Sequence, residues 1–209
     1  MTNTQTIQKT LDTIKSYSNE AALAVIPYLK KSDLETYKNF LNEMYHYTLK
    51  SGDKLMQASK ASPNPELKDF FDHMFREERL HYVLAEQDLK GFGLKPNYEK
   101  TPQAVTDFNN FWESLGKGHF NGFLAALYIF ENVAEKVADD IKGMIQRLEI
   151  TEKQRRWLSL HSEADVEHGQ LIGDLLAKYI DQDVDTSLAA AAEAKEKWIA
   201  VLESAFTIK

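Results

Sequence analysis

Between Phe120 and Leu148 the apolar residues recur in alternating steps of four and three: Phe120, Leu124, Leu127, then Ala134, Ala138, Ile141, Ile145 and Leu148. That is the period of one helix face turned toward a core. Position 131 belongs to the same series and is a glutamate, in "YIFENVAEK". A chain with such a stripe folds as packed helices, and a charge on the stripe needs a partner.

The rest of the chain reads the same way. Glycine and proline are scarce, at 9 and 5, and cluster between periodic segments. A first helix is expected over about 5–30, broken near Pro27. A second begins at "SDLE", where Ser32 and Glu35 have capping-box spacing, and runs to about 60. A third follows "SPNPE" and stops at Gly91 and Gly93. A short fourth starts at Thr101 and Pro102 and stops near Gly116. A fifth covers about 119–149, a sixth runs from Thr151 to about 181, and a last one begins at Asp185. No strand pattern competes. The expected fold is all-α: one domain over 1–209, of about seven helices, with core helices near 32–60, 64–91, 119–149 and 151–181.

Composition narrows the function classes. Hydrophobic residues make up 43%, enough for a sizeable core. The net charge of -7 argues against nucleic acid or an anionic membrane as partner. The absence of cysteine removes disulfides, thiolate metal sites and a Cys nucleophile. The longest apolar runs, "AALAVIPYL" and "GFLAALYIF", fall well short of the roughly 20 residues that span a bilayer. The start "MTNTQTIQKTLDTIK" lacks the apolar core of a secretory signal. A cytoplasmic protein is expected.

Glu131 is not alone. On the third helix Leu67, Phe71, Met74, Phe75, Tyr82, Ala85 and Leu89 mark an inner face, and Glu78 and His81 lie within it as E-x-x-H. On the sixth, His161, Asp165 and His168 share the face of Leu158, Ile172, Leu175 and Tyr179. The second offers Glu43, beside Phe40, Met44 and Tyr47. An ionised carboxylate does not stay alone in a dry core; it pairs, protonates or binds a metal. No Lys or Arg falls on these stripes. A helical bundle holds two iron or manganese ions with one Glu from each of two helices and E-x-x-H from each of two more. Glu43, Glu78 with His81, Glu131, and Asp165 with His168 fit that count, and His161 adds a further nitrogen. Oxygen and imidazole donors without thiolate suit iron or manganese. Each element also has a plainer reading: a lone E-x-x-H is usually a solvated i,i+3 pair, and one buried Glu is usually a hydrogen-bond partner. His46, His73 and His119 read as structural or surface residues, and His46 shares what reads as an exposed face with Asn39, Asn42 and Asp53.

These pieces together resemble the heme-oxygenase-like diiron oxidases and oxygenases, the iron-containing redox enzymes. The likeness rests on Glu43 in "NEMYHY", "EERLH" followed by "DLKGFG", the Glu of "ALYIFENVAEK" and the "HSEADVEH" run, and covers about 33–180. It implies ligand roles for Glu43, His81, Glu131, His161, Asp165 and His168. Glu78 matches members with an extra E-x-x-H glutamate. The resemblance further implies two Fe ions cycling between Fe2+ and Fe3+, or Mn in their place. O2 is then a co-substrate and electrons come from an external donor. Family members form a peroxo-diferric species that N-oxygenates or oxidatively cleaves a small acid or amine, and a homodimer is common among them. Thiaminase-II-like relatives of this bundle use a Cys nucleophile, which this chain lacks. True heme oxygenases use one early His; His46 in that role leaves the carboxylates unexplained.

The expected activity is that of an O2-dependent non-heme diiron oxidase or oxygenase acting on a small amphiphilic metabolite such as an amino or fatty acid. Phe71, Phe75, Tyr82, Tyr128 and Trp157, with Phe111, Trp112 and Phe123, are candidates to wall its pocket. Each is also ordinary core material. The alternatives are a ferritin-like iron-storage, ferroxidase or peroxide-scavenging protein, and a metal-free scaffold with buried ion pairs.

Overall fold

Three of the seven expected helices are interrupted, and the interruptions shape the interior. The computed structural model describes residues 3–207, with the side chains of Asn3 and of residues 162–167 outside the described set. It contains α1 (Asn3–Lys31), α2 (Leu34–Thr48), α3 (Ser51–Ala61), α4 (Pro65–Glu78), α5 (His81–Gly91), α6 (Gln103–Leu115), α7 (Phe120–Glu131), α8 (Val133–Lys136), α9 (Ala138–Arg147), α10 (Arg156–Tyr179) and α11 (Val184–Phe206). Short 3-10 turns at Glu152–Gln154 and Ile180–Gln182 flank α10. No strand occurs among the described residues.

The starts and stops have local causes. Asp33, not Ser32, caps α2: its carboxylate accepts from the Thr36 amide at 2.8 Å, and the Thr36 hydroxyl oxygen accepts from the Asp33 amide. Ser32 instead ends α1, where Arg147 donates to the Ser32 and Leu29 carbonyls. Asn64 caps α4 with Pro65 in its first turn. After α5, Gly93 takes φ +74, and the Gly93 and Leu94 amides fold back to the Lys90 and Leu89 carbonyls. That is the glycine stop the sequence announces. Pro102 stands at the cap of α6, with Thr101 before it; Thr151 caps the 3-10 turn ahead of α10.

Pro27 does not break α1. A proline removes the bond to the carbonyl four residues back, here Leu23, and Leu23 is exposed to water. The 119–149 stripe, in contrast, breaks at Asn132 and Val137. Asn132 donates its side-chain amide to the Tyr128 carbonyl, and the Lys136 ammonium takes the Asn132 carbonyl. Past the break Val133, Val137 and Met144 become the buried face, while Ala138 turns to solvent. The expected helix 64–91 breaks at Arg79 and Leu80, and the expected helix 32–60 at Leu49 and Lys50. The first break lies close against α3, because a Cβ on Gly52 would sit 3.0 Å from Arg79 Cβ.

One core runs through the molecule, from Ile14 on α1 to Ala205 on α11. α11 packs most extensively on α7 and α1. Its alanines make this approach close: a Cβ on Gly122 of α7 would lie 3.1 Å from Ala190. α10 packs on α7 and α5. The breaks after Glu78 and Glu131 fall at this junction, so both glutamates stand at helix ends beside α10.

Candidate metal centre

Glu78 ends α4 and His81 begins α5. Despite the break, a Glu78 carboxylate oxygen lies 2.8 Å from His81 Nδ1. The approach is an ion-pair distance without the in-line geometry of a hydrogen bond, so Nδ1 is a buried nitrogen with no hydrogen-bond partner among the described residues. His161, from α10, meets the same pair: its ring centroid is 4.8 Å from that of His81. Donor atoms of Glu78, His81 and His161 all lie within 4.8 Å of one another.

His161 is held for this role by its own helix. Its Nδ1 donates to the Trp157 carbonyl at 2.8 Å, and its ring stacks on the Trp157 indole at 3.8 Å between centroids. A carbonyl only accepts, so the proton is on Nδ1 and Nε2 keeps its lone pair. Burial pushes the imidazole pKa down to about 4, against the pull of Glu78, so His161 stays neutral at ordinary pH.

His168 and Glu131 form the adjoining layer. Glu131 lies 3.2 Å from His168 Nδ1. His168 Nε2 lies 2.6 Å from Glu77. Burial pulls the His168 imidazolium toward neutrality, but Glu131 and Glu77 outweigh it and raise its pKa to about 9. Burial raises Glu131 above the carboxylate range, with Glu78 adding to the effect and His168 opposing it. Burial also works against the Glu78 charge, but His81, His161 and His168 outweigh it and hold the carboxyl below its usual value.

The remaining expected residues divide. Glu43 is buried on α2 and lies outside the Glu78–His81–His161 group; Ser204 of α11 donates to it at 2.7 Å. Its second oxygen has no hydrogen-bond partner among the described residues, and burial lifts its pKa to about 7. Asp165 lies on α10, but its side chain is outside the described residues. His46 is buried rather than exposed: the Asn97 carbonyl and Thr101 hydroxyl occupy its two nitrogens. It therefore has no free nitrogen for a heme. His73 is half-exposed and His119 exposed.

A cavity of about 140 Å³ opens beside the cluster, with Glu78, Glu131 and His161 in its wall. Trp157, Trp112 and Phe123 line it as expected. Phe71, Phe75, Tyr82, Tyr128 and Phe111 do not. Phe71 packs in the core against Phe123, and Phe75 lies under the Arg79 guanidinium. Tyr82 meets Tyr45 edge-on, and Phe111 stacks on Phe108. Tyr128 leans on Gly173 of α10. Missing from the expected wall are Phe40, Tyr47, Phe130, Trp198 and Phe206, which line the cavity in their place. Glu77 was missed too, because its neighbour Glu78 fills the E-x-x-H pattern.

The donor set fits iron. It offers imidazole nitrogens and carboxylate oxygens in a buried apolar setting, with two carboxylates close enough to repel. His81 Nδ1 and the free Glu43 oxygen are buried donors still lacking a partner among the described residues.

Comparison with known proteins agrees in kind. The sequence model described as "iron-containing redox enzyme" matches residues 38–200. Among solved structures, a domain of unknown function with a heme oxygenase-like fold from Shewanella denitrificans superposes with a TM-score of 0.79 at 19% identity, over 98% of this chain and 92% of that one. A TenA homologue from Pyrococcus furiosus gives 0.77 at 14%, over 93% and 98%. Another TenA homologue, from Pseudomonas syringae pv. tomato, gives 0.77 at 10%, over 96% and 92%. No curated protein sequence matches. No helix among the described residues is long and apolar enough to cross a membrane. The chain belongs to the iron-containing redox enzyme family and carries its residues on a heme-oxygenase-like fold.

Proposed function

We propose that the chain is an O2-dependent non-heme diiron oxidase or oxygenase that acts on a small amphiphilic metabolite. The observation that carries this reading is the Glu78–His81–His161 cluster beside a cavity lined by aromatic side chains. Glu78, His81 and His161 hold one iron in this reading. Glu131 and His168, with Asp165, hold a second, and Glu43 stands on the α2 side as a further carboxylate. When bound, the ferrous pair supplies the electrons that activate O2, and an external donor restores them.

The protein's own residues prepare that chemistry. The Trp157 carbonyl fixes His161 with Nε2 free. His168 must give up a ring proton to become a ligand, and Glu77, at its Nε2, is placed to accept it. Trp157, Phe130 and Trp198 exclude water from the reacting space, which protects reactive species from side reactions. A lined apolar cavity favours a substrate-using enzyme over ferritin-like storage or peroxide scavenging, which need no organic pocket.

The test is to load the protein with Fe(II) without air, mix it with O2, and follow visible absorption and O2 uptake over amino-acid and fatty-acid libraries. The reading expects a transient absorption whose decay one substrate class accelerates. Steady O2 consumption that no substrate alters would favour the ferroxidase alternative; no absorption change and no uptake would end the oxygenase reading.

A further inference from the structure

Lys54 is the one lysine or arginine in the cavity wall among the described residues. It projects from α3 and is only 3% exposed. Its Nζ has no hydrogen-bond partner among the described residues and lies 4.5 Å over the Tyr47 ring. The charges that act on it are Glu113, Asp53 and Lys50; Glu78 and Glu131 are not among them. Lys54 is therefore not the counter-charge of the metal cluster.

A lone ammonium in an apolar wall costs several kcal/mol, and folding recovers little of that through one ring. Burial pushes its pKa down to about 7, against the pull of Glu113. An anion entering the cavity relieves that cost. Around Lys54, Thr48 and Ser51 also line the cavity and add hydroxyl groups. Beyond Tyr47 the wall continues through Phe130, at 6.4 Å between centroids, whose chain neighbour is Glu131. The wall thus offers an apolar path between a bare cation and the candidate metal ligands.

We infer that Lys54 sets the substrate class: it binds the carboxylate head of an amphiphilic acid whose apolar body lies along Tyr47, Phe130 and Trp198. The inference rests on reading this cavity as the substrate pocket of the proposed oxygenase. Lys54 acts here as a specificity-determining residue and lies outside the Glu78–His81–His161 group.

The three tryptophans of the chain, Trp112, Trp157 and Trp198, all line the cavity and report on occupancy by their fluorescence. Iron-loaded wild type and Lys54→Met are titrated with octanoate, octanol and octylamine. Wild type is expected to bind octanoate tightest. Lys54→Met is expected to lose octanoate affinity by about tenfold or more and to keep octanol within about threefold, as loss of one charge-assisted contact implies. Lys54→Gln serves the same comparison if the Met variant does not fold. Equal octanoate binding by variant and wild type overturns the inference, and so does wild type that binds octanol as well as octanoate or binds none of the three. Iron content and O2 uptake of the same samples separate the two readings. Octanoate selectivity that depends on Lys54 without O2 uptake sinks the oxygenase and keeps the anchor. O2 uptake without that selectivity does the reverse.

Discussion

His168 Nε2 lies 2.6 Å from the Glu77 carboxylate, so the imidazole proposed as a metal ligand is also the centre of a carboxylate clamp. Its other nitrogen faces Glu131. A histidine between two carboxylates is a stable imidazolium when no metal competes.

That clamp gives the metal-free protein a defined pH response. The His168 pKa is raised to about 9, above the ordinary 6.5. A raised value means a stabilising contribution that is complete below 6.5 and lost as pH rises through 9. Urea midpoints of metal-free wild type are expected to fall across that window relative to His168→Gln. Parallel curves for the two proteins would contradict the clamp. Metal uptake at neutral pH is expected to release protons, measurable in weakly buffered solution.

Lys54→Met is expected to be more stable than wild type at pH 7, by roughly 1–4 kcal/mol, because it removes an unpaired buried charge. The Lys54 pKa is lowered from 10.5 to about 7. Its cost is therefore complete below 7 and fades as pH rises toward 10.5. Thermal melts at pH 7 and pH 10 should show the gap narrowing.

Glu149 ends α9 in the left-handed region at φ 53, where the Ile150 amide returns to the Ile145 carbonyl. A side chain there is strained and glycine is not. Glu149→Gly is expected to stabilise the protein by about 0.5–1 kcal/mol, read from denaturant midpoints. An unchanged or lower midpoint would mean that Glu149 makes a compensating contact.

Gly91 tolerates no side chain. A Cβ there would meet the Lys153 carbonyl oxygen at 2.5 Å, and the Gly91 carbonyl accepts from Gln154 at 3.1 Å. Gly91→Ala is expected to cost about 1–3 kcal/mol. It should also weaken iron loading, because the 152–154 turn leads into the helix bearing His161 and His168. Calorimetry and elemental analysis on one preparation check both.

The periodicity of three and four made the all-helical fold readable, and the polar positions on those stripes led to Glu78, His81 and His161. The breaks did not show. Those at Asn132 and Leu80 contain neither Gly nor Pro, and a side-chain amide and tertiary packing make them instead. Because the 119–149 helix breaks, its stripe lost phase beyond Glu131, and Ala138 came out exposed. Pocket walls were read as single helix faces, yet the cavity draws on every helix but α5, so Trp198 and Phe206 on the last helix escaped notice. Lys54 shares its buried face with Leu55 and Ala58. Its inward aim is legible only once the α2–α3 break has reset that register. Glu43 sits deep in the core, as expected, but its partner Ser204 is 161 residues away and no local pattern reveals it.

The central claim is that Glu78, His81 and His161, with Glu131 and His168, hold redox-active iron. It is tested most directly by anaerobic Fe(II) titration of wild type, His161→Ala and Glu131→Ala, with iron counted per folded chain. The account predicts about two irons in wild type, as bundle ligand sets of this kind hold. It predicts the loss of one or both in each variant while helical content is kept. Wild type that retains no iron, or variants that load as wild type does, would contradict it.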